Sequence, residues 1–270
     1  AIRIILVSVW LVISNVTVSY HSQRCLSTLF CKKVIYDKLQ RFSPVLFAFS
    51  PGRIPFSGAM CYTEKRFFRK GASYKMAQTI TPTQLADILS AVLAQQSTKP
   101  FVLALDGRCG SGKTTLAAEL ARQFPASLVL HTDDFYLPPA QRAHGWEKTP
   151  CANMDLVRLR DEALRPAYMG QAVPYRAYSC REGAYQPVQE LAAQPLVILE
   201  GSYSHHPLLT GYETLRVFIT CSKEEQTRRL QEREGERYAN FAARWIPLEE
   251  GYFAEYHIEE TTDFVVDTTL

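Results

Sequence analysis

The stretch Gly107-Arg108-Cys109-Gly110-Ser111-Gly112-Lys113-Thr114 decides the fold, because it fits the pattern G-x-x-x-x-G-K-[ST]. An apolar run from Phe101 to Asp106 precedes it and predicts a buried strand, and an amphipathic run from Lys113 to Phe124 predicts a helix. A strand, a glycine-rich loop and a helix in this order cradle nucleotide phosphates with backbone N–H groups and a helix N-terminus. The motif leaves three fates open for the terminal phosphate: hydrolysis, a timed switch or transfer.

The side chains of this loop predict how a nucleotide and its metal ion are held. Lys113 is expected to reach the β- and γ-phosphates, and the Thr114 hydroxyl is expected to ligate Mg²⁺. Glu200 ends the predicted strand Pro195–Gly201 and suits the acid that holds the metal, although a carboxylate there could also cap the next turn. Asp106 is interpreted as a structural residue of the loop. The loop residues predicted to bind the nucleotide are Gly107, Cys109, Gly110, Ser111, Gly112, Lys113, Thr114 and Thr115.

Composition excludes several function classes. A formal charge of +3 with 21% charged residues is too weak for a nucleic-acid footprint. The seven cysteines are scattered and include no C-x-x-C pair, so neither a zinc site nor a disulfide framework is indicated. Because Cys109 lies inside the phosphate loop, a reducing compartment, the cytoplasm, is expected, and so is sensitivity to thiol reagents.

The first 75 residues differ from the remainder. The apolar run Ile4–Val18 is short for a membrane span and is interrupted by polar residues, and no sustained periodicity follows it. Met76 begins a stretch in which Thr81, Pro82 and Gln84 form a helix-capping pattern. We therefore hypothesise that residues 76–270 form a P-loop kinase domain, preceded by a non-native or disordered extension over residues 1–75. A real targeting segment is the rival interpretation.

Beyond Met76, strands alternate with helices, which predicts an α/β fold with a mainly parallel sheet covered by helices on both faces. Ligands bind such sheets beyond the carboxyl ends of the strands. Further strands are predicted over Ser127–Asp134, Thr214–Thr220 and Asp263–Thr269, and helices over Asp155–Leu164, from Ser222, and from Pro247 to Glu260. A long functional loop is predicted between Asp134 and Ala152.

The stretch LHTDDFYLP, Leu130 to Pro138, favours phosphoryl transfer. A GTPase would need a guanine-reading motif such as N-K-x-D, and the chain contains none. A carboxylate at the end of the second strand would instead lie where an acceptor hydroxyl meets the γ-phosphate, and it could accept the hydroxyl proton.

Four segments together resemble the uridine kinase-like family, which includes pantothenate kinase and phosphoribulokinase relatives. The segments are GRCGSGKTT, HTDDFY, LEGSYS and RRLQER, and the resemblance covers about Phe101 to Thr269. It implies the P-loop NTPase fold with a helical lid, ATP as phosphoryl donor and Mg²⁺. It also implies that Thr268 lies beside the adenine.

The resemblance also implies residues of the acceptor site. Asp133 is the implied catalytic base and Tyr136 lies against the acceptor. Asp155 resembles the acid that holds ribose hydroxyls, and Tyr175 resembles an aromatic contact to the base; a helix cap and half-buried aromatics are the alternative interpretations. Where nucleoside-specific members have a His, this chain has Ser179-Cys180-Arg181, and Arg181 is the candidate contact there.

The basic segment TRRLQEREGERYANFAARW is the predicted lid. Arg229 and Arg233 are four residues apart and share a helical face, so they are the predicted catalytic arginines, with Arg237 next. They would stabilise the transferred phosphoryl group. A solvated helix of mixed charge is the alternative.

The sequence therefore predicts a cytoplasmic, ATP- and Mg²⁺-dependent kinase that acts on a hydroxyl of a small, nucleoside-like metabolite. We expect no nucleic-acid partner and no membrane association, and a homo-oligomer stays open. The alternatives are a kinase for pantothenate or a sugar phosphate, and a non-kinase P-loop module that binds or hydrolyses nucleotide and is docked to a membrane by its N-terminal segment.

Overall fold

The computed structural model describes residues 77–95 and 97–269. Its centre is a six-stranded sheet with the order β1-β10-β9-β2-β8-β3, in which every neighbouring pair is parallel. The six strands are β1 (Gln78–Ile80), β2 (Phe101–Gly107), β3 (Ser127–His131), β8 (Leu196–Glu200), β9 (Leu215–Thr220) and β10 (Phe264–Asp267).

A loop with the 3-10 turn Pro207–Leu209 joins β8 to β9, and helices lie in the connections between the other strands of the sheet. The helices are α1 (Pro82–Leu93), α2 (Lys113–Gln123), α3 (Leu156–Arg158), α4 (Arg165–Tyr168), α5 (Lys223–Glu234), α6 (Tyr238–Tyr256) and α7 (Ile258–Thr261). A π-helical segment, Leu159–Leu164, joins α3 to α4. Two small antiparallel pairs lie between α4 and β8: β4 (Val173–Tyr175) with β7 (Gln189–Leu191), and β5 (Tyr178–Ser179) with β6 (Ala184–Tyr185).

Strands β2 and β8 are neighbouring inner strands of the sheet, and every residue of both is buried. Their sequences, FVLALDG and LVILE, are the continuous apolar runs expected of strands covered on both faces. In the register, Glu200 lies opposite Leu105 on one side and His131 on the other. The ends of β2, β3 and β8 therefore meet at one edge, and the functional side chains collect there.

Local sequence signals explain where the main helices begin. Thr81 Oγ1 accepts a hydrogen bond from the Gln84 amide, and Gln84 Oε1 accepts one from the Thr81 amide, which is the predicted capping box of α1. Ser222 caps α5 through the Glu225 amide. The Ser222 amide donates to Thr269 Oγ1, and the Glu225 side chain pairs with Arg228 and Arg229.

Several predicted bounds are wrong in detail. Strand β3 stops at His131, and the 3-10 turn Thr132–Phe135 follows it, so Asp133 lies beyond the strand. Pro247 lies inside α6 and does not open a helix; a proline there removes only one helical hydrogen bond. Strand β1 was missed because three residues are too few to show a period.

The expected α/β P-loop fold is confirmed by this topology. The predicted extension over residues 1–75 lies outside the described residues, so its division from the kinase domain stays a prediction. Among the described helices, none combines the length and apolarity needed to cross a membrane.

Candidate active site

The phosphate loop turns sharply away from the sheet at Gly107. Its φ is 139°, and a Cβ atom there would lie 1.9 Å from the Ile219 carbonyl oxygen of neighbouring β9. Only glycine permits this close approach of two backbones. The motif's first glycine is therefore required by packing of the loop against the sheet.

The N-terminus of α2 is arranged to receive an anion. Its N-cap, Gly112, offers no side-chain hydrogen bond to the first amides of the helix, which have no intrahelical acceptor. Ser111 Oγ is buried and, within the described part of the chain, has no hydrogen-bond partner. Lys113 Nζ donates to the carbonyls of Gly107 (2.6 Å) and Arg108 (2.9 Å), so its charge is held over the loop. These groups fit the phosphates of a nucleotide.

The acid at the end of β8 faces the first turn of α2. Thr114 Oγ1 donates to Glu200 Oε2 over 3.2 Å, and His131 Nδ1 lies 2.5 Å from Glu200 Oε1. This hydrogen bond raises the pKa of His131. A hydroxyl beside a carboxylate is an oxygen donor set suited to Mg²⁺, so Thr114 and Glu200 fit the predicted metal. His131, which sequence reasoning assigned no role, orients Glu200.

Asp106 is a structural residue of the phosphate loop, as interpreted from the sequence. It is fully buried and accepts hydrogen bonds from the Gly107 amide, the His205 amide and the Tyr252 hydroxyl. Burial raises its pKa. Asp106 thus ties the phosphate loop to the loop after β8 and to α6. No cluster of three His, Cys, Asp or Glu residues able to hold a metal ion occurs in the described residues, His205 and His206 included.

The environment of the Cys109 thiol does not favour the sensitivity to thiol reagents expected from the sequence. Its thiol is buried, and desolvation raises its pKa well above the ordinary value, so it is a poor nucleophile. Its amide donates to the buried carboxylate of Glu249 over 2.8 Å, and Ser202 Oγ donates to the same carboxylate over 2.6 Å. Glu249 was missed from the sequence, because a lone acid in a helix carries no signal. The exposed free cysteine of the described residues is Cys180.

The acceptor side centres on Asp133. The Asp133 carboxylate is accessible to solvent, but protein groups surround it. The resulting partial desolvation raises its pKa, and the positive charge of Lys113 acts in the opposite direction. The Tyr136 hydroxyl donates to Asp133 Oδ1 over 3.3 Å. A carboxylate facing the lysine of the phosphate loop is placed to accept a proton beside a transferred phosphoryl group.

Tyr175 fixes the turn that carries Asp133. Its hydroxyl donates to Asp134 Oδ2 over 2.5 Å and accepts from the His131 amide over 3.2 Å, and its ring packs edge-on against Phe135. The ring is buried, so this structure shows Tyr175 supporting the turn. Its predicted contact with an acceptor base stays a prediction.

Asp155 lies next to the same turn. Its amide donates to the Phe135 carbonyl, and its carboxylate caps α3 by accepting from the Arg158 amide over 3.0 Å. Arg158 in turn donates to the Asp134 carbonyl. Arg181, by contrast, is exposed in the β5–β6 turn, and the described residues give it no contact with other site residues.

An aromatic wall, defined as Tyr136, Trp146 and Trp245, extends outward from Asp133. The ring centroids of Tyr136 and Trp245 are 6.5 Å apart, and those of Trp245 and Trp146 are 6.0 Å apart. Two of these residues come from the long loop after β3 and one from α6. The composition of the long loop was the one sequence signal for this wall, because contacts between distant segments leave no local pattern in the sequence.

The basic segment divides into a docked part and an exposed part. Arg229 donates to the Thr268 carbonyl (2.7 Å) and the Gly110 carbonyl (3.3 Å), so it lies on the phosphate loop. Thr268 Oγ1 donates to the Ser111 carbonyl over 2.7 Å, beside the expected nucleotide. Arg233 and Arg237 are exposed, with side-chain exposures of 52% and 79%. Thr115 is exposed on α2.

Comparisons with known proteins agree with this arrangement. No protein-family model matches the chain. Nicotinamide riboside kinase 1 of Homo sapiens is 31% identical over 134 residues, which are 48% of this chain and 64% of that protein. Nicotinamide riboside kinase 2 of Homo sapiens is 29% identical over 133 residues, 46% of this chain and 54% of that protein. The chain therefore spans less than two thirds of the length of either relative.

A solved structure described as a possible uridine kinase from Bacillus stearothermophilus superposes with a TM-score of 0.53 at 20% identity, over 68% of this chain and 98% of that one. The chain has the uridine kinase-like P-loop fold. The resemblance predicted from the four sequence segments is thus confirmed. In this fold, the phosphate loop, Glu200 and the Asp133 turn converge at one edge of the sheet.

Proposed function

We propose that this chain is an ATP-dependent kinase that transfers the γ-phosphoryl group to a hydroxyl of a small, nucleoside-like metabolite. The observation that carries the proposal is the position of Asp133, which faces Lys113 and Glu200 and accepts from Tyr136. A nucleotide-hydrolysing module has no need for an acidic turn with an aromatic wall beside the phosphate loop. The two nicotinamide riboside kinases, by their names, act on a riboside.

On the donor side, the loop amides and Lys113 bind the phosphates of ATP. Mg²⁺, held by Thr114 and Glu200, would neutralise charge on the phosphate oxygens. Lys113 exchanges its carbonyl partners for phosphate oxygens, since ammonium–phosphate hydrogen bonds are charge-assisted. Arg229 and Arg233 stabilise the transferred phosphoryl group, Arg229 from its position on the loop.

On the acceptor side, Asp133 accepts the hydroxyl proton as the oxygen bonds to phosphorus. Its raised pKa makes it a stronger base than an ordinary aspartate. Tyr136 orients the carboxylate, and Asp155 binds ribose hydroxyls. The aromatic wall offers a stacking surface for a flat ring, which favours a nucleoside over pantothenate or a small sugar phosphate.

We also propose a cytoplasmic location and residues 76–270 as the functional domain. The four cysteines of the described residues are free thiols, which suits a reducing compartment. The acceptor is proposed as a small molecule, without nucleic-acid or membrane partners.

A screen for acceptor-dependent ADP formation tests the function. The purified chain is incubated with ATP, Mg²⁺ and one of several nucleosides, pantothenate or sugar phosphates. ADP formation that rises with a ribonucleoside supports the proposal, and ADP formation that no added metabolite changes contradicts it.

A further inference from the structure

The acceptor cleft is defined as the space beside the aromatic wall between Asp133 and Arg142, whose guanidinium lies over the Trp146 ring. Arg142 Nε donates to the Leu137 carbonyl over 2.8 Å, and its guanidinium carbon lies 4.9 Å from the centroid of the Trp146 ring. It also lies close enough to Cys180 for a side-chain hydrogen bond, and Cys180 interacts electrostatically with Asp133. Arg142 is thus a fixed group of the cleft lined by Asp133 and the aromatic wall.

The charge of Arg142 has no counter-ion within the described residues. Seven other arginines there form ion pairs with carboxylates: Arg108, Arg158, Arg160, Arg228, Arg229, Arg233 and Arg237. Arg142 is half-buried and donates through Nε to a carbonyl, and no carboxylate of the described residues pairs with its terminal nitrogens. A guanidinium held over an indole can present its terminal nitrogens as a fork that matches an oxyanion.

The cleft is therefore polarised along its length. Its inner end carries Asp133, which suits a neutral hydroxyl that will lose a proton. Its outer end carries Arg142, with Arg244 of α6 also over the Trp146 ring at 5.9 Å. A ligand that satisfies both ends has a hydroxyl at one end and an oxyanion at the other, with a flat ring between them.

We propose that Arg142 is a specificity-determining residue that selects acceptors carrying an oxyanion, in the first place a ring carboxylate, over their neutral counterparts. The proposal rests on the kinase function proposed above and refines its substrate class to acidic ribosides. A phosphate on the acceptor would present the same chemistry, and the experiment separates the two sources.

The test compares matched acceptors in the full chain. Orotidine and uridine differ by one ring carboxylate, and nicotinic acid riboside and nicotinamide riboside differ by a carboxylate in place of an amide. A charged hydrogen bond of this kind predicts that kcat/KM favours each acid by about tenfold to a hundredfold. Arg142→Gln should remove most of that preference, and Arg142→Lys should keep part of it, because an ammonium cannot form the fork.

Arg122→Gln, an exposed position on α2, is the control and should keep the full preference. A wild-type enzyme that does not favour the acids, or an Arg142→Gln loss equal for both members of a pair, overturns the proposal. Loss of the preference in Arg181→Gln and not in Arg142→Gln overturns it as well. If turnover of a sugar phosphate depends on Arg142 while turnover of the acids does not, Arg142 still recognises an oxyanion, and that oxyanion is a phosphate.

Equilibrium binding separates this proposal from the kinase function. Quenching of tryptophan fluorescence, with Trp146 and Trp245 at the cleft, measures the Kd of orotidine and uridine without turnover. Tighter binding of the acid that is lost in Arg142→Gln supports the site even if no phosphate is transferred. Equal binding of both ligands rejects the site even if the kinase activity is present.

Discussion

At the scale of single residues, the role of each carboxylate in the site depends on its burial and on its hydrogen-bond partners. Asp106 and Glu249 are buried and satisfied by backbone amides and hydroxyls, so they serve as structural anchors. Glu200 is shared between Thr114 and His131. Asp133 alone of these is exposed, and among the described residues it accepts a hydrogen bond from Tyr136 alone; this difference supports the proposal that Asp133 is the base.

Asp133→Asn should lower kcat by about a hundredfold to ten-thousandfold, because the amide cannot accept the acceptor proton. ATP binding should change little, since no loop group contacts Asp133 directly. Steady-state kinetics with a ribonucleoside acceptor, together with the Kd of ATP, measure both effects. Normal turnover in this variant would remove Asp133 from the role of base.

The pH dependence of kcat/KM gives a second prediction at this scale. The pKa of Asp133 is raised by desolvation, so the acid limb should lie above the ordinary aspartate value of about 3.9. Activity should rise with pH through that limb, because only the deprotonated carboxylate accepts a proton. A pH–rate profile of the wild type checks this, and the residual activity of Asp133→Asn should lack the limb.

At the scale of elements, β2, the phosphate loop and α2 form one unit whose geometry depends on glycine. The sequence motif predicted the strand, loop and helix of this unit, and Gly107, Gly110 and Gly112 all have the positive φ that favours glycine. The acceptor elements were less predictable. The hydroxyl of Tyr175 holds the Asp134 side chain, and Arg142 is held against the long loop through the Leu137 carbonyl, while the predicted acceptor contacts of Tyr175 and Arg181 stay predictions. Both outcomes depend on contacts across long loops, which a linear pattern does not encode.

Gly107→Ala should destabilise the protein strongly, by more than about 4 kcal/mol, since the added Cβ would lie 1.9 Å from the Ile219 carbonyl oxygen. Gly183→Ala is the matched control: its φ is also positive, at 66°, but nothing lies within 4 Å of the added Cβ. Backbone strain alone should cost the control about 1–2 kcal/mol. Urea unfolding followed by circular dichroism compares the two, and equal losses would contradict the packing argument.

At the scale of the whole molecule, the parallel sheet brings segments far apart in the chain to one edge. Asp106, Asp133 and Glu200 were predicted at strand ends, and the structure confirms the common edge, with Asp133 shifted into the turn after β3. The role of α6 was not predictable. Glu249, Tyr252 and Trp245 attach this helix to the phosphate loop and the aromatic wall, although the sequence suggested a helix starting only at Pro247.

A chain starting at Met76 should fold and transfer phosphate at a rate within about twofold of the full chain, because the complete sheet and both sides of the site lie within residues 77–269. Circular dichroism and the same kinetic assay on both chains make the comparison. Loss of folding or activity in the shorter chain would show that the preceding residues belong to the functional protein.

The central claim is that the terminal phosphate moves to an acceptor hydroxyl. Incubation with ATP labelled at the γ-phosphate, Mg²⁺ and a ribonucleoside, followed by separation of the products, tests it most directly. The account predicts that the label appears in a nucleoside monophosphate in equal amount to the ADP formed, and that Asp133→Asn lowers the rate of this product by about a hundredfold or more. Label recovered only as inorganic phosphate, at a rate independent of the acceptor, would contradict it.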